Sequence, residues 1–159
     1  ADGTSIEFSR GNSTVGTISV TSSATSYNTS SDYRLKKNIV DLDNAIDRVK
    51  QIPVHRFSFI AEPDVTVDGF LAHEVSDIVP EAVVGTKDET ELQEYETTPA
   101  VMDDDGNVVT AAVMGTREVP VYQGIDQSKL VPLLTAALQE AITRIETLEA
   151  EVTALQGAN

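Results

Sequence analysis

Apolar residues recur every seven positions near the C-terminus of the chain. The repeat consists of two interleaved series, with Val131, Leu138, Ile145 and Val152 at one position and Leu134, Ala141, Leu148 and Leu155 at the other. They fill the a and d positions of four consecutive heptads, which predicts a coiled-coil helix. Extra apolar residues widen the N-terminal half of this stripe, namely Leu130, Leu133, Ala137 and Ile142. The wider stripe favours packing against a globular part or a third helix over a two-stranded zipper.

The bounds of this helix follow from its flanking residues. Pro132 fits only the first helical turns, so Asp126 or Ser128 is the predicted cap, and Gly157 is the predicted end. The sequence therefore predicts a C-terminal helix over residues 126–157.

Residues 1–30 follow a period-two pattern instead. Stretches such as residues 17–21 alternate small polar and apolar side chains, which indicates strands. Large apolar residues are too few to form a core within one chain, so such strands need a partner. We expect the end of an upstream domain, an interlaced trimeric β-fibre in which the partner is an identical chain. A disordered Ser/Thr linker is the alternative.

Residues 31–125 alternate between short helical and short extended patterns. A short helix is predicted around Ile46 and Val49, with Asp41 or Asp43 as its cap. Alternation predicts a strand over residues 54–60, a turn at 62–64 and a second strand over 67–72. A short helix over 73–79 and a short strand over 82–85 follow. The predicted fold class is α+β, with short mixed strands and helices.

Acidic residues dominate residues 86–118, where core-forming side chains are sparse. Asp105, Gly106 and Asn107 form a strong turn signal within this segment. The pattern predicts a long protruding hairpin or loop and leaves its role open.

Composition excludes several classes of function. The 159 residues are 40% hydrophobic, which suits one compact domain with extensions. A net charge of −15 argues against nucleic acid or an anionic membrane surface as partner. The chain has no cysteine, which excludes disulfides and thiolate metal sites. Neither a membrane-spanning apolar run nor a signal peptide is recognisable, so we expect synthesis in the cytoplasm.

No metal or cofactor site is predicted. His55 and His73 are far apart in sequence, so both are interpreted as structural residues rather than zinc ligands. Residues 103–107 resemble the start of a calcium loop, but Met114 occupies the place of its closing glutamate. These five residues are therefore predicted to form a turn.

At the junction between the period-two pattern of residues 1–30 and the mixed pattern of residues 31–125, a serine precedes two lysines by a few positions. Ser31 is followed by Lys36 and Lys37. A serine attacks a carbonyl only when a base accepts its proton, and a lysine can do so once burial or nearby cations lower its reference pKa of about 10.4. Residue types alone leave the choice of lysine open.

Three ordered blocks carry a resemblance to a known family. The first is Ser31-Asp32-x-Arg34-x-Lys36-x-Asn38, the second runs through residues 69–75 and 79–83, and the third is residues 128–134. Together they resemble the C-terminal intramolecular chaperone domain of phage tailspikes and tail fibres, the endosialidase type, which is also a self-cleaving peptidase. Where this chain has His73, that family more usually has glutamine.

The resemblance implies a catalytic site, an oligomeric state and a role in the folding of a phage protein. It implies a catalytic dyad of Ser31 and Lys36; the adjacent Lys37 is the runner-up base, and no cofactor is expected. It also implies a homotrimer whose protrusions, here about residues 86–118, hold the upstream chains of a phage fibre or tailspike while they fold into a triple β-helix. The chaperone, residues 31–157, would then be released from a virion tail fibre precursor made in a bacterial host.

Ring size favours one bond for the cut. Attack by the Ser31 hydroxyl on the Ser30 carbonyl passes through a five-membered ring, whereas attack on its own carbonyl would close a four-membered one. We therefore expect cleavage between Ser30 and Ser31, with the Ser31–Asp32 bond as the alternative if another chain supplies the attacking group. A non-cleaving trimerisation tip and a receptor-binding tip remain as alternative functions.

Overall fold

A computed structural model describes residues 3–157, and the chain divides into two compact units, Ala1–Asp41 and Leu42–Asn159. Residues 1 and 2 of the predicted N-terminal stub lie outside the described part. Small antiparallel sheets and helices alternate along the chain, which confirms the α+β class. The functional boundaries after residues 30 and 125 remain predictions.

The first unit is a three-stranded antiparallel sheet. Strands β1 (Gly3–Arg10), β2 (Ser13–Val20) and β3 (Thr25–Thr29) lie side by side in that order. The predicted strands are thus confirmed, and the alternative of a disordered linker is wrong. Ile6, Ile18 and Tyr27 stand opposite one another across the three strands, and Phe8 lies in the next row. Ile6 is 50% exposed and Tyr27 is 80% exposed, so this apolar face forms no closed core within the unit.

The second unit has a small aliphatic core between helices and short strands. Helix α1 (Ala45–Val49), hairpin β4 (His55–Phe59) and β5 (Glu62–Gly69), and helix α2 (Ala72–Ser76) follow one another. Strand β6 (Val83–Val84) pairs with β11 (Gly124–Ile125). Among residues 3–157, the buried apolar residues are Ala45, Val75, Val79, Ala82, Leu130 and Leu133. This core joins the short elements to the start of the C-terminal helix.

One predicted turn was misplaced. Residues 62–64 were expected to turn the chain, but Glu62 and Pro63 already belong to β5, and Phe59 pairs with Glu62. The turn lies at Ile60 and Ala61, two residues that carry none of the usual turn-forming side chains.

Residues 90–120 form a long exposed ribbon, which confirms the predicted hairpin. Strand β7 (Thr90–Thr98) pairs antiparallel with β10 (Val113–Pro120). A second small pair, β8 (Val101–Met102) and β9 (Val108–Thr110), closes its tip. Nine residues in β7 correspond to a strand of about 30 Å at about 3.3 Å per residue. The ribbon is therefore long compared with the core that carries it.

The long helix α3 (Val131–Gly157) follows a 3₁₀ turn over Gln127–Leu130. Asp126 caps that turn, since its carboxylate accepts hydrogen bonds from the Ser128 N–H at 3.0 Å and from the Ser128 hydroxyl at 2.6 Å. The end at Gly157 agrees with the sequence prediction, whereas Asp126, one of the two predicted caps, caps the preceding 3₁₀ turn and the α-helix itself begins at Val131. Within residues 3–157, no helix is long and apolar enough to cross a membrane.

The predicted cap of α1 was wrong. Neither Asp41 nor Asp43 occupies that position; Asn44 does, in a left-handed conformation with φ of 54° and no hydrogen bond from its side chain. Glu140 of α3 takes over the role, because its two carboxylate oxygens accept hydrogen bonds from the N–H groups of Ala45 at 2.8 Å and Ile46 at 3.1 Å. The first turn of α1 is therefore held by a side chain from α3.

Candidate active site

Two hydrogen bonds fix the residue that precedes the predicted nucleophile. The backbone N–H of Ser30 donates to the Val15 carbonyl at 3.1 Å, and the Ser30 hydroxyl donates to the Thr14 carbonyl at 3.1 Å. Ser30 thus continues the sheet directly after β3, beside β2. The carbonyl expected to be attacked belongs to a residue held at the sheet edge.

A single 3₁₀ turn, Tyr33–Leu35, follows Ser31 and Asp32. Asp32 is its N-cap, with a carboxylate oxygen that accepts from the Arg34 N–H at 2.8 Å. The guanidinium of Arg34 also binds this carboxylate through two nitrogens, at 3.0 Å and 2.7 Å. The Asp32 side chain therefore closes the turn through its cap bond and through a bidentate ion pair.

The turn brings the predicted dyad together. The Nζ atom of Lys36 lies 2.8 Å from the Oγ atom of Ser31, a hydrogen-bonding distance. Lys37, the runner-up base, is exposed and forms no hydrogen bond or salt bridge with the described residues. The geometry thus selects Lys36 as the nearer of the two amines.

Charge at the junction is arranged around Asp32. Its hydrogen bonds with Arg34 hold the pKa of this carboxyl below its usual range, and the nearby Lys36 lowers it further. The same pairing raises the pKa of Arg34. Asp32 is consequently a carboxylate at neutral pH, and its charge faces both cations of the turn.

The site is open in a single chain. Ser31, Asp32, Arg34 and Lys36 are all exposed, as is every residue from 21 to 44. Among residues 3–157, therefore, nothing buries the amine or excludes water from the Ser30 carbonyl.

Two of the remaining sequence candidates, His55 and Asp103, make structural hydrogen bonds. The ring nitrogen Nε2 of His55 lies 2.6 Å from the Glu74 carboxylate and ties β4 to α2. Asp103 stabilises the tip turn by accepting hydrogen bonds from the N–H groups of Asp105 and Asn107. His73 lies in α2 and is half-buried. No cluster of potential metal ligands is present among residues 3–157.

The predicted coiled-coil residues lie along one exposed side of α3. The large a and d side chains, from Val131 to Leu155, are between 51% and 69% exposed in the single chain. The opposite side starts in the core, where Leu130 and Leu133 are buried and Ala136 and Ala137 pack against them. One helix thus carries a covered face and an apolar stripe that the single chain leaves open.

Two contacts at these sites had no signal in the sequence. The register of β2 and β3 places Thr14 and Val15 next to Ser30, which follows them by about fifteen positions in the sequence. The hydrogen bonds that hold Ser30 on β2 depend on this register. The cap from Glu140 joins residues 95 positions apart. Only tertiary packing brings such pairs together.

Part of the chain, from the junction onwards, is similar to a known protein family. Residues 31–84 match the profile of the family Peptidase_S74, described as the chaperone of endosialidase. The first two of the three sequence blocks lie inside this segment and the third lies outside it. The resemblance to the endosialidase-type chaperone is thereby confirmed. The match supports an intramolecular chaperone of the endosialidase type.

Among solved structures, the chain is similar to one described as a novel intramolecular chaperon. The two share 18% sequence identity, and the match covers 72% of this chain and 99% of that one, with a TM-score of 0.41. No curated protein matches the sequence.

Proposed function

We propose that this chain trimerises, templates the folding of an upstream phage tail fibre or tailspike β-helix, and then releases itself by autoproteolysis at Ser31. The observation that carries the cleavage step is the 2.8 Å contact between the Lys36 amine and the Ser31 hydroxyl, directly after the sheet edge that holds Ser30. The protein is then an enzyme with a single turnover per chain, in which Ser31 is the nucleophile and Lys36 the general base.

The cleavage divides into two balanced steps. Neutral Lys36 accepts the hydroxyl proton while the Ser31 oxygen attacks the Ser30 carbonyl carbon through a five-membered ring. The proton then passes to the departing Ser31 nitrogen, the peptide bond breaks, and Ser30 is left as an ester on Ser31. Water hydrolyses this ester to give a carboxylate at Ser30 and a free amine and hydroxyl at Ser31. The carbonyl of Ser30 suits this reaction because its residue is already fixed on β2.

Assembly provides a reason for the open site. General-base catalysis by a lysine needs the neutral amine, which a desolvated environment favours. Because the single chain leaves Ser31 and Lys36 exposed, we infer that the other two copies cover the junction. The cut would then wait for correct assembly, and a misfolded monomer would stay whole.

Templating fits the sheet of the first unit. Its strands carry polar side chains on one face and an uncovered apolar row on the other. Such strands specify poorly which strand of another chain they pair with and in which register. Interchain strand pairing is slow and prone to aggregation. Three chains tied together by α3 would start at high local concentration. After folding, the cut would leave a product that is trapped kinetically.

The ribbon is the candidate for contact with the upstream chain. In the structure it projects as β7 and β10, with exposed apolar side chains such as Leu92 and Met114 between acids. We propose that it holds the upstream part of the fibre during folding.

The test is the intact mass of the products after expression of this chain with its natural upstream sequence. We expect the parent to split at the junction, and Ser31→Ala and Lys36→Ala to slow the cut by at least about a thousandfold while they remain trimeric. Lys37→Ala is the matched control and should split like the parent. A product that begins at Ser31 identifies the Ser30–Ser31 bond, and one that begins at Asp32 identifies the alternative bond.

Two results would contradict the proposal. A well-folded parent that stays whole would make the chain a non-cleaving trimerisation tip. A block by Lys37→Ala but not by Lys36→Ala would move the base to the neighbouring residue.

A further inference from the structure

The two edges of the exposed stripe on α3 carry one pair of opposite charges, Arg144 and Glu149, while Glu151 adds an acid to the same edge as Arg144. With Val131 at position a, Arg144 falls at position g and Glu149 at position e of the next heptad. These positions flank the apolar seam and are the ones that form salt bridges between helices in coiled coils. The other e positions are occupied by Thr135, Ile142 and Gln156, so Glu149 is the only acid among them.

Neither charge is held in an ion pair among residues 3–157, although, after the backbone hydrogen bonds to its carboxylate, the charge of Arg144 contributes to lowering the pKa of the nearby Glu140. Arg144 and Glu149 are both exposed. Glu140, four residues before Arg144, already binds the N–H groups at the start of α1. The Arg144 and Glu149 side chains are therefore exposed, without an ion-pair partner in the described part of the chain, and can reach a neighbouring helix.

We propose that Arg144 of each copy pairs with Glu149 of the next copy around a parallel trimer. In parallel helices a g residue lies beside the e residue five positions further along the neighbouring helix, which is the spacing of Arg144 and Glu149. The Arg144 stem would also cover the apolar seam. The trimer contains this pair three times, and the inference rests on the trimer of the proposed function.

The same charges disfavour a wrong register. A shift of one heptad in one direction places Arg144 beside Ile142 and sets Glu151 against Glu149, which replaces attraction by repulsion. The opposite shift places Arg144 beside Gln156. The pair thus selects the alignment that starts three upstream chains level with one another.

Charge reversal tests the pair. In the Ser31→Ala chain, which stays whole, we would compare Arg144→Glu, Glu149→Arg and the double variant by light scattering over a concentration series. The urea concentration would be the one that begins to dissociate the parent. Each single variant should raise the concentration of half-assembly about tenfold in low salt, and the double variant should return it to the parent value. At 1 M salt the differences should largely vanish.

Net charge cannot produce this pattern. The two single variants change the net charge by two units in opposite directions, so general repulsion between acidic copies would strengthen one trimer and weaken the other. Glu146→Arg is the matched control, because it makes the same charge change as Glu149→Arg at position b, away from the seam. This control should leave assembly close to that of the parent.

A second measurement reads the register directly. The chain has no cysteine, so Leu155→Cys introduces a single thiol at a d position near the end of α3. We expect rapid disulfide formation between copies when oxidised glutathione is added as the oxidant, because parallel, aligned helices bring these residues together. A trimeric parent with unchanged single variants, or without cross-linking at residue 155, would overturn the inference alone. A monomeric parent would overturn the trimer as well.

Discussion

At the scale of single residues, the junction is built around one carboxylate. Asp32 closes the turn after Ser31 through the N–H of Arg34 and through its guanidinium, and this turn returns Lys36 to the Ser31 hydroxyl. The contact between serine and lysine therefore depends on a side chain that takes no proton itself. In the account proposed here, Asp32 is a positioning residue.

The first prediction separates the two roles of Asp32. Asp32→Asn keeps an acceptor for the Arg34 N–H, as asparagine is a good N-cap, but loses the charged pair; Asp32→Ala loses both. We expect the cleavage rate to fall about tenfold in the first variant and about a hundredfold in the second, because the dyad loses its fixed geometry. The appearance of the cut product over time measures both rates.

The control for this prediction is Asp41→Ala, which removes a carboxylate from the same exposed segment. It should cleave at the parent rate. Equal rates for the parent and for both Asp32 variants would show that the turn forms without this side chain.

At the scale of elements, α3 is joined to the globular core by more than apolar packing. Leu130 and Leu133 are buried at its start, and Glu140 binds the first N–H groups of α1. These hydrogen bonds hold the pKa of Glu140 below its usual value near 4.5. The helix that would tie three chains together thus also fixes an element of the domain core.

The second prediction concerns acid. Because folding lowers the pKa of Glu140, its contribution is complete above the ordinary pKa and is lost as the pH falls through the folded value. Glu140→Gln should therefore unfold at lower urea than the parent at pH 7, and the difference should shrink below about pH 4.5. Urea unfolding at a series of pH values measures it.

Glu146→Gln is the matched control, since this carboxylate on the same helix makes no hydrogen bond in the described part of the chain. It should change stability little at any pH. A difference between Glu140→Gln and the parent that stays constant from pH 7 to pH 3 would contradict the assigned role of the charge.

Local patterns predicted some of these elements, and long-range contacts decided the others. The heptads of α3 and the capping residue Asp126 can be read directly because their signals lie within one or two turns of the chain. The pair of Ser31 and Lys36 is equally local, but the resemblance singled it out, because residue types alone left the choice between Lys36 and Lys37 open. The cap of α1 was missed because Glu140 lies 95 positions from Ala45. A residue of capping type just before a helix does not have to be the one that binds its first N–H groups.

At the scale of the whole molecule, each of the two units of the single chain leaves apolar surface uncovered. The first leaves the apolar row around Ile6 and Tyr27 exposed, and the second leaves the a and d stripe of α3 exposed. The exposed dyad is a third open feature. One trimer would complete all of them, which is why assembly, folding of the upstream chain and cleavage belong together in the proposed function.

The most direct test of this account is native mass spectrometry of the protein expressed with its own upstream domain. We predict two species: a trimer of upstream chains that end at Ser30, and chaperone chains that begin at Ser31 and are no longer attached to the upstream trimer. A folded trimer of uncut chains, with the chaperone still attached, would contradict self-release. Uncut monomers would contradict the trimer on which the account depends.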